Sequence, residues 1–272
     1  MFPADSDWNR EISGDAVDAH SSQYVSFMGG GSVNLHPDFG SIFGLPFMIV
    51  PAGQARVPMS FLFKADSDPG PYPFPENLTI QNATDKHAIV LSQGDCKLYE
   101  TYFTSADGNG GFRADSGAVF NLRTGAARPT GFTSATASGL PLLPGLARYD
   151  EVVEKGAIHH ALIFIAGHTG HSYVSPATHS SGTSSSTSAP PLGIRIRLRA
   201  NFDLSPYSGE TLVVLKALQH YGAFLVDTAG GQFWSIGGAK DSRWDNGNLQ
   251  QMKDVPASAF DVVKTGTIHQ GE

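Results

Sequence analysis

Two carboxylates flank a serine at Asp66-Ser67-Asp68, just ahead of a stretch stiffened by Pro69, Pro71, Pro73 and Pro75. A rigid backbone places a side chain accurately, so Asp68 is a candidate catalytic acid, with Tyr72 as a ring that binds substrate. The same residues also read as ordinary turn chemistry, with a carboxylate accepting from nearby amides. A third reading makes their oxygens ligands for calcium or another divalent metal ion. Asp38 lies in a second Pro/Gly-defined turn, and it joins the residues that would bind substrate.

His160 stands in an apolar run, between Ile158 and Ala161-Leu162-Ile163-Phe164-Ile165. An imidazole there is either a hydrogen-bonded structural group or a general base beside a cleft. Downstream, His168, His171 and His179 follow a spacing that matches no standard metal-ligand pattern, and His179 is carried as a substrate-binding candidate. Asp150 and Glu151 follow Arg148, which suggests either a cleft acid with a binding arginine or a plain ion pair. Glu100, in an apolar-aromatic run, is either edge-exposed or buried and paired. Arg195, Arg197 and Arg199 alternate with apolar residues and put three guanidinium groups on one sheet face. That face is a solvated, salt-bridged surface or a cationic groove for an acidic polymer, with Arg195 and Arg197 binding it.

The elements that must position these groups are mostly strands. Apolar runs at 46–50, 57–63, 87–91, 97–103, 118–122, 157–165, 194–202, 223–226, 233–236 and 260–263 are separated by Gly, Pro, Asn and Asp clusters. One helix is expected over 210–221, apolar except for a stripe at Lys216, Gln219 and His220, and so packed on a sheet. Weaker helical patterns cover 17–28 and 248–253. The segment 178–191 is Ser/Thr-rich and reads as a flexible surface loop inside one domain spanning 1–272. The expected architecture is a mostly-β fold, a β-sandwich of jelly-roll type with one packed helix and long ordered loops.

Composition narrows the function classes. Charged residues are 16% of the chain, below the roughly 25% usual in soluble proteins, and 31 glycines and 17 prolines take their place. With 18 Lys and Arg against 25 Asp and Glu, the net charge of -7 argues against nucleic acid as a partner. No apolar run is long enough to span a bilayer as a helix. A single cysteine, Cys96, excludes an intramolecular disulfide and a multi-thiolate zinc site. The low-charge, turn-rich texture suggests an extracellular protein whose leader has been removed. Nucleophile-elbow, P-loop, Rossmann and His-Glu-x-x-His patterns are missing.

Several phrases recur in combination. They are Leu35-His36-Pro37-Asp38-Phe39-Gly40, Asp66-Ser67-Asp68-Pro69-Gly70-Pro71-Tyr72-Pro73, Leu98-Tyr99-Glu100, the run from Gly139 to Leu146 with Arg148-Tyr149-Asp150-Glu151-Val152, His160-Ala161-Leu162, and Pro190-Pro191-Leu192-Gly193. Together they resemble a family of secreted bacterial and fungal proteins of uncharacterised function. The resemblance runs from Phe2 to Val263 and implies a secreted setting without an activity. Two positions depart from its pattern: Ile163 stands where an Arg is usual, and Thr136 where an Asp is usual.

These readings converge on a secreted carbohydrate-active protein, a glycan hydrolase or polysaccharide lyase whose partner is a polysaccharide or oligosaccharide. Its catalytic residues would be Asp68, His160, Asp150 and Glu100. The alternative is a glycan-binding or extracellular structural module that uses the same aromatic and arginine surfaces.

Overall fold

The computed structural model describes residues 1–231 and 233–271. With 28% strand against 16% helix, the protein is mostly β. Its largest sheet has six strands, in the order Leu35–Asp38, Trp234–Gly237, Leu162–Gly167, Ala223–Ala229, Arg195–Leu198 and Phe260–Val262. The apolar run around Ile163 becomes the interior strand Leu162–Gly167, paired parallel to Ala223–Ala229 and antiparallel to Trp234–Gly237. Strand periodicity then sorts its side chains. Phe164 and Ala166 share a face with Ile236 and Trp234, while Ile165 shares the other with Ser235.

A four-stranded sheet, Met48–Val50, Ala88–Ser92, Lys97–Tyr102 and Ser116–Asn121, lies in a second layer. Both of its faces are apolar. Ile89, Leu98, Ala118 and Phe120 join the main core, while Val90 and Tyr99 pack with Tyr72, Phe74 and Phe112 in a smaller one. Between the layers runs the segment 134–147, buried almost throughout. The arrangement is sandwich-like. Its sheets mix parallel and antiparallel pairs, whereas the strands of a jelly roll are antiparallel.

The predicted helix is present as Gly209–His220, with Val214, Leu215 and Leu218 buried and Lys216 and His220 exposed. Ser208 sits at the N-cap but makes no side-chain cap bond. The Oδ1 of Asn248, from a distant turn, accepts from Thr211 N instead, at 2.8 Å. The helical pattern at 17–28 shortens to Ser21–Phe27, and that at 248–253 becomes Asn246–Leu249 followed by a 3-10 turn.

The arginine face is a correction. Arg195 and Arg197 are buried and form neither a solvated surface nor a groove. Arg195 donates to the carbonyls of Asp7, Arg10 and Tyr221, and Arg197 to those of Ile12, Ser13 and Asp15. The two guanidinium groups therefore clamp the N-terminal segment to the sheet. The segment 178–191 is also more anchored than its composition suggests. Ser180 Oγ donates to Gly170 O, His171 Nδ1 meets Gly182 O at 2.9 Å, and Ala189 is buried.

Candidate functional site

The proline-stiffened segment is a staple. Asp68 Oδ2 accepts from Val119 N at 2.7 Å and pairs with Arg128, while the Tyr72 hydroxyl donates to Asp68 O. Tyr72 is fully buried against Phe61, Phe74 and Tyr99, so it offers no ring to a ligand. His160 is buried too. Its Nδ1 bonds Ala161 O at 2.8 Å and its Nε2 meets Glu151 at 3.1 Å, while Arg148 pairs with that same Glu151. Asp150 opens a π-helical turn at the surface, beside Lys155 and Arg148.

Glu100 is sealed at 0% exposure with no counter-charge, and its two oxygens accept from Leu142 N and Leu143 N at 2.8 Å each. Burial lifts its carboxyl from 4.5 to about 7 against the pull of those two amides. None of Asp68, Asp150, His160 and Glu100 lines the large cleft. The large cleft therefore does not bring Asp68 and His160 together. Their polar contacts are taken up inside the protein, which a one-dimensional pattern does not reveal.

That cleft, about 1430 Å³, opens between the two layers, and it does include Asp38 and His179. Its most informative residue is Asp227. Strand Ala223–Ala229 carries a β-bulge after Leu225, so Asp227, and not Val226, stands opposite Ile165. In unbulged pairing Val226 would stand opposite Ile165, and Asp227 would fall opposite Ala166, on the face of Phe164 and Trp234. With the bulge, the carboxylate points into the cleft. Its oxygens accept from Thr228 N at 2.8 Å and Ala137 N at 3.2 Å. Burial, reinforced by the charge of Asp85, outweighs these bonds and pushes its carboxyl from 3.8 to about 6.

Ala137 also anchors a histidine. His179 Nδ1 lies 2.7 Å from Ala137 O, an atom that only accepts, so Nδ1 carries the proton and Nε2 is left as an acceptor. On the other side of this loop, His87 Nε2 donates to Ala135 O at 3.0 Å, and burial lowers the His87 pKa. The short loop 135–137 is therefore held by an imidazole at each end, with the Asp227 carboxylate on the amide of Ala137. Asp85, exposed on the rim, acts electrostatically on Asp38, His87 and Asp227. Burial raises the Asp38 pKa, partly offset by His36, with Asp85 adding to the rise.

Sequence reasoning passed over Asp227, Asp85 and His87. An Asp directly after the apolar run 223–226 was a legible anomaly, but the bulge that aims it was not. Ile163 and Thr136, the two departures from the resembled pattern, both line this cleft. Among the described residues, no group of three or more His, Cys, Asp or Glu is arranged to hold a metal ion. No described helix is long and apolar enough to cross a membrane.

No family model matches the chain, and neither the curated proteins nor the solved structures return a match. Function must be read from the cleft.

Proposed function

We propose that this protein is a carbohydrate-active hydrolase that cleaves glycosidic bonds in the cleft between its layers. The observation that carries the reading is Asp227, a carboxyl held to about 6 in a cleft that also contains Asp85 and Asp38. Glycoside hydrolysis needs one carboxyl kept protonated and another kept as carboxylate. Asp227 gives its proton to the leaving oxygen as the bond to the anomeric carbon breaks. Asp85 takes a proton from the water whose oxygen bonds that carbon. His179 Nε2 accepts a hydrogen bond from a substrate hydroxyl.

Hydrolysis is favoured over a lyase by the charge of the walls. Among the described lining residues are Asp38, Asp66, Asp85 and Asp227, with Lys240 as the fixed cation and no arginine. Such a site suits a neutral glycan better than a uronate, whose carboxylate needs a cationic partner. A binding module built on a flat indole platform is disfavoured, because Trp8, Trp234 and Trp244 are all buried. The extracellular setting and the resemblance to a secreted family belong to the same proposal.

The test is a panel of neutral polysaccharides and oligosaccharides, read by release of reducing ends. Asp227→Asn and Asp85→Asn are each expected to lower kcat by about a hundredfold or more. Wild-type activity should fall as pH rises through about 6, where Asp227 loses its proton. Full activity in Asp227→Asn, or no release from any glycan by the wild type, overturns the reading.

A further inference from the structure

Residues at the cleft mouth are unusually apolar. Ile42, Phe43 and Phe63 all line the cleft, yet they are 70%, 66% and 49% exposed. Leu62, next to Phe63, is 69% exposed. A soluble surface does not ordinarily gather large apolar side chains around one opening.

These side chains are held out by the backbone. Ile42 and Phe43 sit between Gly40 and Gly44, whose φ angles of +139° and +106° suit glycine alone. A Cβ at Gly44 would stand 2.9 Å from Lys240 N, so the turn lies tight against the strand end. Ser41 N donates to Asn246 Oδ1 at 3.0 Å, and Leu45 N donates to Gly238 O at 3.0 Å, which fixes both ends of the turn. Phe63 is held as firmly from another segment: its N donates to Asp115 O at 2.8 Å and its carbonyl accepts from Ser67 Oγ at 2.7 Å. Deeper in the same cleft, Ser116, Ser134 and Thr136 line the wall with hydroxyls that donate to Ser134 O and Leu140 O, and Asp227 supplies the carboxyl.

We infer that the substrate is amphiphilic, a glycoside whose aromatic or alkyl aglycone rests on Ile42, Phe43 and Phe63 while its sugar reaches Asp227. The inference rests on the hydrolase reading and adds the chemical class of the substrate. A single ligand is implied because the apolar residues and the carboxyl line one continuous cleft. Burying an alkyl chain there stabilises binding in proportion to the apolar area removed from water, and a sugar lacking that chain forgoes it.

The experiment separates binding from turnover. Matched octyl and methyl glycosides of glucose, galactose, mannose and xylose, with octanol as control, are titrated by calorimetry below the micellar range. The protein is Asp227→Asn, with and without Ile42→Ser, Phe43→Ser and Phe63→Ser. An octyl glycoside is expected to bind at least about tenfold tighter than its methyl partner, and the three serines should shrink that advantage to about twofold. Equal affinity of the pair, an advantage that survives the serines, octanol binding as tightly as the octyl glycoside, or no glycoside binding at all would each overturn the inference. Octyl preference without any wild-type hydrolysis would sink the hydrolase reading and keep the amphiphile site. Hydrolysis with no octyl preference would do the reverse.

Discussion

A carboxylate with no nearby cation acts differently according to what surrounds it, as Glu100 and Asp227 show. Glu100 has no access to solvent and grips Leu142 N and Leu143 N, so it holds the segment whose other end presents Ala137 to Asp227. Its pKa of about 7 against 4.5 in the unfolded chain means the native state keeps a proton that the unfolded chain has shed. Stability from this group is therefore complete below about 4.5 and declines as pH rises to about 7. Asp227 adds a loss of the same sign between about 4 and 6. Glu100→Gln should remove the decline near pH 7 and cost about 1–3 kcal/mol at pH 5, because an amide cannot accept from both backbone donors. Urea melts from pH 4 to 8 would check this, and an unchanged slope would exclude Glu100 as its source. At this scale the sequence marked Asp38 and His179 as substrate-binding candidates, and both line the cleft, while it left Glu100 either edge-exposed or buried and paired. It could not mark Asp227, whose direction depends on a pairing register.

Elements were more legible than residues. The helix Gly209–His220 followed from an apolar run with a polar stripe at Lys216, Gln219 and His220, although its cap comes from Asn248, some forty residues downstream, which no local pattern announces. The bulge after Leu225 was invisible, since one extra residue leaves a strand's composition unchanged. It nevertheless decides which way Asp227 points. An alanine inserted between Phe164 and Ile165 would give Val226 a partner, restore plain alternation and turn Asp227 toward the face of Phe164 and Trp234. The expected result is loss of any glycosidase activity together with a drop of several degrees in Tm, as a carboxyl is forced into the apolar core. An insertion variant that stays fully active would show that the bulge does not aim the acid.

At the scale of the whole molecule, the mostly-β, layered character followed from turn spacing and low charge. What joins the layers did not, because contacts between distant segments leave no local trace. The arginines of strand Arg195–Leu198 read as surface, yet they satisfy six backbone carbonyls, five of them in the N-terminal segment. Arg197→Met should leave the carbonyls of Ser13 and Asp15 without their side-chain donor, and that of Ile12 with Asp15 N alone, and cost roughly 2–4 kcal/mol. Faster proteolysis near Ser13 should accompany that loss in denaturant melts. A variant as stable and as protease-resistant as the wild type would mean that this clamp contributes little.

The same clamp constrains how the chain is made. Asp7 and Arg10 wait for a partner 188 and 185 residues further along the sequence. At ribosomal speeds of about 5–20 residues per second, that separation is roughly 10–40 s of synthesis. Through that interval the carbonyls of Asp7 and Arg10 have no guanidinium to bind, and the central strand Leu162–Gly167 must likewise wait for both of its neighbours. The large sheet therefore closes late, and a nascent chain halted before residue 195 should present its N-terminal segment to any chaperone or protease within reach.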